Sequence, residues 1–304
     1  MPKRLKRLAE ILNIEGILPH LKGVNQLILI PHRDLHLLPL DALFPDKFTI
    51  THLPSIKVGL DRKKAKQNAI PQQPKVSLLS VENPTDDLRY ASFESELVSK
   101  LYPNTKSLSK SAATPEAVKE ALSKGVGIFH FTGHGEHNLE QPAQSALILA
   151  DKKRLTLRDI LELDLSHCNL VCLSACETNL TSKVGLIDEF VGLASGFVAA
   201  GVNNVVGSLW NVNDLSTAYL MTKLHEILKN SDNPDVGSAL KQAQYLLRNV
   251  TNKELQEWRE KLPLESSQYR NLRIPVKKID GETGANDKPF ESPFYCAAFC
   301  AIGL

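Results

Sequence analysis

The predicted fold depends on two short stretches of the sequence, FHFTGHGEH at residues 129–137 and NLVCLSACETN at residues 169–179. In each stretch an apolar run, typical of a buried strand, breaks into small and polar residues. His134 lies just past the first run, and Cys176 lies just past the second. A cysteine nucleophile and its histidine base are brought together by the fold rather than by proximity in sequence. The two residues are therefore a candidate catalytic pair if their strands are neighbours.

Apolar runs alternate with amphipathic segments through most of the chain. Strands are predicted at residues 76–81, 126–131, 146–149, 170–173 and 205–210. Helices are predicted at residues 93–101, 186–200, 214–228 and 236–250. Thr114 and Thr156 are predicted helix N-caps, and proline follows the first of them, as the first helical position favours. Strands alternating with helices predict an α/β fold with a mostly parallel sheet covered on both faces.

The two ends of the chain depart from this alternation. Residues 63–75 are polar and contain two prolines, which predicts a linker. We therefore expect an N-terminal segment at residues 1–70 to pack on a core at residues 71–304. Residues 262–292 show no periodicity and predict a long surface loop, of the length that is usually functional or disordered. A final buried strand is predicted at residues 293–303.

The composition excludes several classes of protein. With 42% hydrophobic and 23% charged residues, the 304-residue chain is ordinary for a globular protein. Its net charge of +2 gives no reason to expect a nucleic-acid or membrane partner. The five cysteines, Cys168, Cys172, Cys176, Cys296 and Cys300, are odd in number, which suits a reduced, cytoplasmic protein better than a disulfide framework.

The predicted sheet places His134 and Cys176 where they can act together in one catalytic site. Ligands of open α/β sheets bind at the carboxyl ends of the strands, where both residues are predicted to lie. Gly133 and Gly135 flank the histidine and allow the backbone to approach a substrate closely. The backbone amides of Gly135 and Cys176 are candidates for an oxyanion hole. We expect the Cys176 thiolate to attack a peptide carbonyl while His134 passes a proton to the leaving amine.

Two simpler interpretations remain open. Histidines after strands and free cysteines are usually structural, so either residue alone is more often part of a packed interior than of a catalytic site. Zinc is the second possibility, with candidate ligands in the triplets His130, His134, His137 and Cys168, Cys172, Cys176. Residues four apart on a strand are separated by roughly 13 Å, which is too far to share one ion. We therefore expect no metal and no cofactor.

Six segments of the chain, taken in order, resemble a known family. They are LILIPHRDLHLLPLDALF (27–44), HLPS (52–55), HFTGHG (130–135), LSACET (173–178), NNVVGSLWNVND (203–214) and SPFYCAAFCAIG (292–303). They resemble the CHAT family of caspase-like cysteine peptidases, relatives of caspases, separases and gingipains. The resemblance implies a caspase-like three-layer α/β/α sandwich, with His134 as general base and acid and Cys176 as nucleophile.

The resemblance also implies a substrate groove along residues 205–210, where an extended peptide adds as a strand. Ser208 and Trp210 lie in this segment, although a buried tryptophan is as readily part of a hydrophobic core. Asp214 is a candidate acid for a basic P1 side chain, but a helix N-cap is the simpler role.

We expect a cytoplasmic cysteine endopeptidase that cleaves a protein substrate through a His–Cys dyad, in regulatory proteolysis. The alternative is a catalytically silent caspase-like module that binds protein partners. Family members often carry helical repeats, so a regulatory partner or a helical-repeat sensor domain is expected as well. The loop at residues 262–292 is a candidate regulatory element.

Overall fold

The computed structural model describes residues 1–68, 76–88, 90–136, 138, 141–175, 188–210, 212–231, 235–261 and 284–303. The helices are α1 Pro2–Ile11, α2 Ile14–Ile17, α3 Ile56–Asn68, α4 Ala91–Lys100, α5 Pro115–Ser123, α6 Leu157–Leu161, α7 Asp188–Ala199, α8 Asp214–Lys229, α9 Val236–Asn249, α10 Asn252–Glu260 and α11 Pro293–Cys296. The strands are β1 Gln26–Leu29, β2 Thr49–His52, β3 Val76–Glu82, β4 Thr105–Ser109, β5 Val126–Glu136, β6 Ala146–Ile148, β7 Arg154–Thr156, β8 Leu170–Ala175, β9 Asn204–Ser208 and β10 Phe299–Gly303.

Eight of the described strands form the main sheet, in the order β1-β2-β10-β9-β8-β5-β3-β4. Neighbours are parallel at every step except β10–β9, which is antiparallel. The sheet therefore consists of two parallel parts that run in opposite directions, and β6 and β7 form a small antiparallel extension on β5. This confirms the predicted α/β fold with a mostly parallel sheet. Within the described ranges, no helix is both long enough and apolar enough to cross a membrane.

Alternating side chains of the central strands belong to two hydrophobic cores, one on each face of the sheet. On one face, Phe129 and Phe131 of β5 pack with α5 and with Phe197 of α7. On the other face, β8 and β9 pack against α8 and α9. Each fully buried phenylalanine contributes about 1.5–3 kcal/mol relative to an exposed one. Helices on both faces of the sheet confirm the three-layer sandwich.

The N-terminal residues extend the same sheet. β1 and β2 are parallel, and His52 at the end of β2 pairs with Ile302 of β10. The side chain of His52 also contacts the carboxylate of Asp41. A separate small core around Ile14 lies beneath α1 and α2. The division of the chain at residue 70 stays a prediction, because residues 69–75 of the expected linker lie outside the described residues and its first part lies in α3.

Several local predictions are confirmed and others are wrong. Thr114 and Thr156 cap α5 and α6 as expected. The N-cap of α8 is Asn213 rather than Asp214, because the side-chain oxygen of Asn213 accepts from the amides of Leu215 and Ser216. The closing segment is not one strand. Its first residues form α11 before β10 begins, since Ser292 and a proline at the first helical position start a helix.

Candidate active site

The carboxyl ends of β5 and β8 lie side by side, as the candidate pair requires. Their parallel register runs from Ile128–Leu170 to Gly133–Ala175. His134 and Cys176 are the next residues along the two strands. Cys176 itself lies outside the described residues, as does His137. The structure thus confirms that the two strands are neighbours up to the residue before each candidate.

His134 lies within a strand and not beyond its end, which corrects the sequence prediction. β5 continues to Glu136, because its last residues pair with β6, where His134 is opposite Ile148 and Gly135 opposite Leu147. A side chain at Gly133 has little room, since a Cβ there would lie 2.6 Å from Cζ of the buried Phe131. Twelve per cent of the His134 side chain is exposed, so the imidazole lies at the surface of the sheet edge.

Asp87 is a site residue that sequence reasoning missed. It follows β3, the strand on the other side of β5, and its Oδ1 lies 2.9 Å from Nε2 of His134. The loop that carries it is closed by Asn83, whose side chain accepts from the amide of Leu88 and donates to its carbonyl. Thr85 donates a second hydrogen bond to the same carboxylate oxygen. The sequence signal is an acidic pair, Asp86 and Asp87, in the loop that follows a buried strand.

The ionisation of Asp87 suits a contact with imidazole. Partial desolvation opposes ionisation, but the hydrogen bonds from Thr85 and His134 outweigh it and lower the pKa of the carboxyl below its usual value. Asp87 is therefore a carboxylate at neutral pH. A carboxylate on one ring nitrogen fixes the tautomer and leaves the other nitrogen, Nδ1, as the acceptor.

The three predicted substrate-binding residues lie near the same edge but in different settings. Ser208 is the last residue of β9 and is buried opposite Phe299 of β10. Trp210 is only partly buried, and its Nε1 donates to the carbonyl oxygen of Phe294 at 3.1 Å. Asp214 begins α8, and its charge acts on Glu94 of α4. None of these contacts assigns a substrate role.

A second histidine and cysteine lie one layer deeper on the same two strands. His130 of β5 pairs in register with Cys172 of β8, and both side chains are completely buried. His225 of α8 covers them, with its Nε2 3.3 Å from Nδ1 of His130. Burial lowers the pKa of His130 to about 3 and raises that of Cys172 well above its usual value. This deep pair is therefore neutral.

Glu94 connects the deep pair to the edge of the sheet. Its Oε2 accepts a hydrogen bond from Ser174, two residues before Cys176. Its Oε1 lies 3.0 Å from Nε2 of His130, but the two atoms are not aligned as a hydrogen bond. Burial, reinforced by the charge of Asp214 and opposed by the Ser174 bond, raises the pKa of Glu94 to about 8. Because both partners are neutral at neutral pH, the close contact is not an ion pair.

These features define a mixed α/β protein with a caspase-like fold. The chain belongs to the CHAT domain family, whose model matches residues 2–304. This family was predicted from the six segments and is confirmed. Among curated proteins, none matches the chain significantly.

Solved structures support the fold. The separase chain of the Saccharomyces cerevisiae separase–securin complex superposes with a TM-score of 0.54 at 15% identity, covering 91% of this chain and 15% of that chain. A second structure of that complex gives 0.53 at 17% identity, over 72% and 14% of the two chains. The Arg-specific cysteine proteinase gingipain R gives 0.49 at 12% identity, over 84% and 54%. The chain thus spans about 15% of the length of separase.

Proposed function

We propose that this chain is a cysteine endopeptidase in which Cys176 is the nucleophile and His134 the general base and acid. The observation that carries the proposal is the register pair Gly133–Ala175, because the two candidates follow it directly on neighbouring parallel strands. Membership of a family with a caspase-like cysteine peptidase fold supports it.

The chemistry assigns each nitrogen of His134 a task. Nε2 faces Asp87, which holds the ring, so Nδ1 takes the thiol proton of Cys176. The thiolate adds to the peptide carbonyl carbon, and the amides of Gly135 and Cys176 donate hydrogen bonds to the oxyanion. The imidazolium then protonates the leaving amine as the C–N bond breaks. Water, deprotonated by His134, hydrolyses the thioester and releases the second product.

The substrate in this proposal is an extended segment of protein chain. It runs beside the end of β9, with Ser208 and Trp210 as contacts and Asp214 as the acid for a basic P1 side chain. The four described cysteines are free thiols, which suits the cytoplasm as the proposed location. Regulation by a protein partner or by a helical-repeat sensor, and through the loop at residues 262–292, stays a prediction. Residues 262–283 of this loop lie outside the described residues.

A reactive-group experiment tests the proposal. A peptidyl chloromethyl ketone with lysine or arginine at P1 is incubated with the protein, and the modified residue is identified by mass spectrometry. We expect one adduct, on Cys176, and its loss in His134→Ala. His167→Ala is the matched control, because His167 is exposed at the opposite end of β8. A peptide library on Asp214→Asn then measures whether the preference for a basic P1 residue is lost.

A silent binding module is the second candidate, and one observation favours it: the separase structure is a complex with securin. The absence of any Cys176 adduct, with folded protein and across added partners, would support the module and contradict the peptidase.

A further inference from the structure

Three metal-ligating side chains converge beneath α8. They come from three elements: His130 from β5, Cys172 from β8 and His225 from α8. One ligand atom of each lies within 4.8 Å of the others, and all three residues are completely buried. Residues four apart on one strand are separated by roughly 13 Å, which is too far for a shared ion. That limit does not apply here, because the three side chains come from two paired strands and from the helix that covers them.

The two imidazoles face each other with the separation that a metal site requires. Nδ1 of His130 lies 3.3 Å from Nε2 of His225. With metal–nitrogen bonds of about 2.0–2.1 Å, two nitrogens of a tetrahedral zinc site are roughly 3.3–3.4 Å apart. An ion can therefore bridge the two rings without a change in their separation.

The outward nitrogens of the same rings lie beside oxygen atoms of the kind that accept from metal-bound histidines. Nδ1 of His225 lies 3.0 Å from the hydroxyl of Tyr102, and Nε2 of His130 lies 3.0 Å from Oε1 of Glu94. Histidines that bind a metal usually donate their second N–H to a carboxylate or another oxygen. Within the described part of the chain, Nε2 of His130 and Oε1 of Glu94 have no hydrogen-bond partner. A metal on Nδ1 would fix the proton on Nε2, the nitrogen that lies beside Oε1 of Glu94.

We propose that His130, Cys172 and His225 bind a Zn²⁺ ion. Two neutral imidazoles and one thiolate form a ligand set that zinc prefers, and three protein ligands leave one tetrahedral position for a small molecule such as water. Binding releases the thiol proton of Cys172 to solvent. The ion joins the two central strands to α8, one layer below the proposed nucleophile. The site does not depend on peptidase activity.

Cobalt substitution tests the site directly. Protein stripped with a chelator is titrated with Co²⁺, and the absorption spectrum is recorded. We expect one equivalent to bind, with intense tetrahedral visible bands and a thiolate-to-cobalt band in the near ultraviolet. The thiolate band is expected to disappear in Cys172→Ser and to persist in Cys300→Ser, which changes another buried cysteine. Zn²⁺ is expected to displace the cobalt, and zinc-loaded protein is expected to melt at a higher temperature than stripped protein.

Two further variants keep the test decisive. Tyr102→Phe preserves the packing and removes only the oxygen beside His225, so we expect a metal affinity lower by about 10–100-fold. This variant serves even if Cys172→Ser does not fold. Cys176→Ala is expected to retain the thiolate band. The proposal is overturned if the stripped wild-type protein binds no stoichiometric metal, if Tyr102→Phe binds it unchanged, or if Cys176→Ala removes the band.

Discussion

The two His–Cys pairs on β5 and β8 are the most instructive comparison in this molecule. His130 and Cys172 face each other in the interior, whereas His134 and Cys176 follow four residues later in the sequence, just past the described register of the two strands. Burial lowers the pKa of His130 to about 3 and raises that of Cys172, so no thiolate–imidazolium pair forms there. At the edge, His134 is partly exposed and faces the carboxylate of Asp87. Depth in the sheet, rather than residue type, thus separates a structural pair from a candidate catalytic pair.

The largest expected effect comes from removing the edge pair. His134→Ala is expected to lower kcat by about 10²–10⁴-fold, because general acid–base catalysis contributes that much. Cys176→Ala is expected to abolish peptide hydrolysis. The rates are measured on a fluorogenic peptide with a basic P1 residue. As control, Cys172→Ala is assayed well below its melting temperature, where activity within a few fold of wild type is expected. A Cys172→Ala loss as deep as that of His134→Ala, in folded protein, would reverse the roles of the two pairs.

A smaller loss is expected from Asp87→Asn, on the order of 10-fold in kcat, because this carboxylate orients His134 but is more than half exposed. Asp86→Asn is the matched control, since Asp86 pairs with Lys110 instead. Equal losses in the two variants would show that Asp87 does not act through the histidine.

The Asp87 contact also predicts a dependence on pH. The pKa of this carboxyl is lowered in the folded chain, so its contribution is present above the usual carboxyl range and is lost as pH falls through the lowered value. Chemical denaturation of wild type and Asp87→Asn at a series of pH values measures this. We expect the difference in unfolding free energy between them to shrink toward acid. A difference that grows toward acid would contradict the sign.

Gly133 tests the packing at the end of the described β5–β8 register. Gly133→Ala is expected to lower the unfolding free energy by about 1–3 kcal/mol, because the new methyl group collides with the ring of Phe131. Urea denaturation measures the loss. In the Phe131→Leu background, where the ring is absent, the same substitution is expected to cost less. An equal cost in both backgrounds would exclude the collision as the cause.

The smallest effect is expected at the cap of α8, the helix that covers the deep pair. Asn213→Ala removes the acceptor for two amides and is expected to cost about 1 kcal/mol of unfolding free energy. Asn213→Ser retains a capping oxygen and is expected to stay near wild type in the same denaturation experiment. If Asn213→Ser loses as much as Asn213→Ala, the cap is not the cause.

Much of the fold could be predicted from the sequence, because apolar runs and helix caps are local patterns. The apolar runs of β3, β5, β8 and β9 and the caps of α5 and α6 depend on nearby residues only. The end of β5 could not be predicted in this way. Its last residues stay extended because β6, an antiparallel strand that follows after a short connection, pairs with them.

The candidate site also contains residues that local sequence patterns indicate and residues that only the tertiary structure reveals. His134 and Cys176 are signalled by small residues after apolar runs, whereas Asp87 becomes meaningful only when β3 is known to lie beside β5. The convergence of His225 with His130 and Cys172 likewise depends on how α8 crosses the sheet. The contacts of Asp87 with His134 and of His225 with the deep pair have no local sequence motif, so tertiary packing alone reveals them.

Side-by-side alkylation of the thiols tests the central claim most directly. Native protein is treated with iodoacetamide at pH 7, and the rate at each cysteine is followed by mass spectrometry. Burial raises the pKa of Cys168 to about 12 and keeps Cys172 out of solvent. We predict rapid labelling of Cys176 alone, slowed in His134→Ala to the rate of an unactivated thiol. Labelling of Cys172 at a comparable rate in folded protein, or a Cys176 rate that is unchanged without His134, would contradict the account.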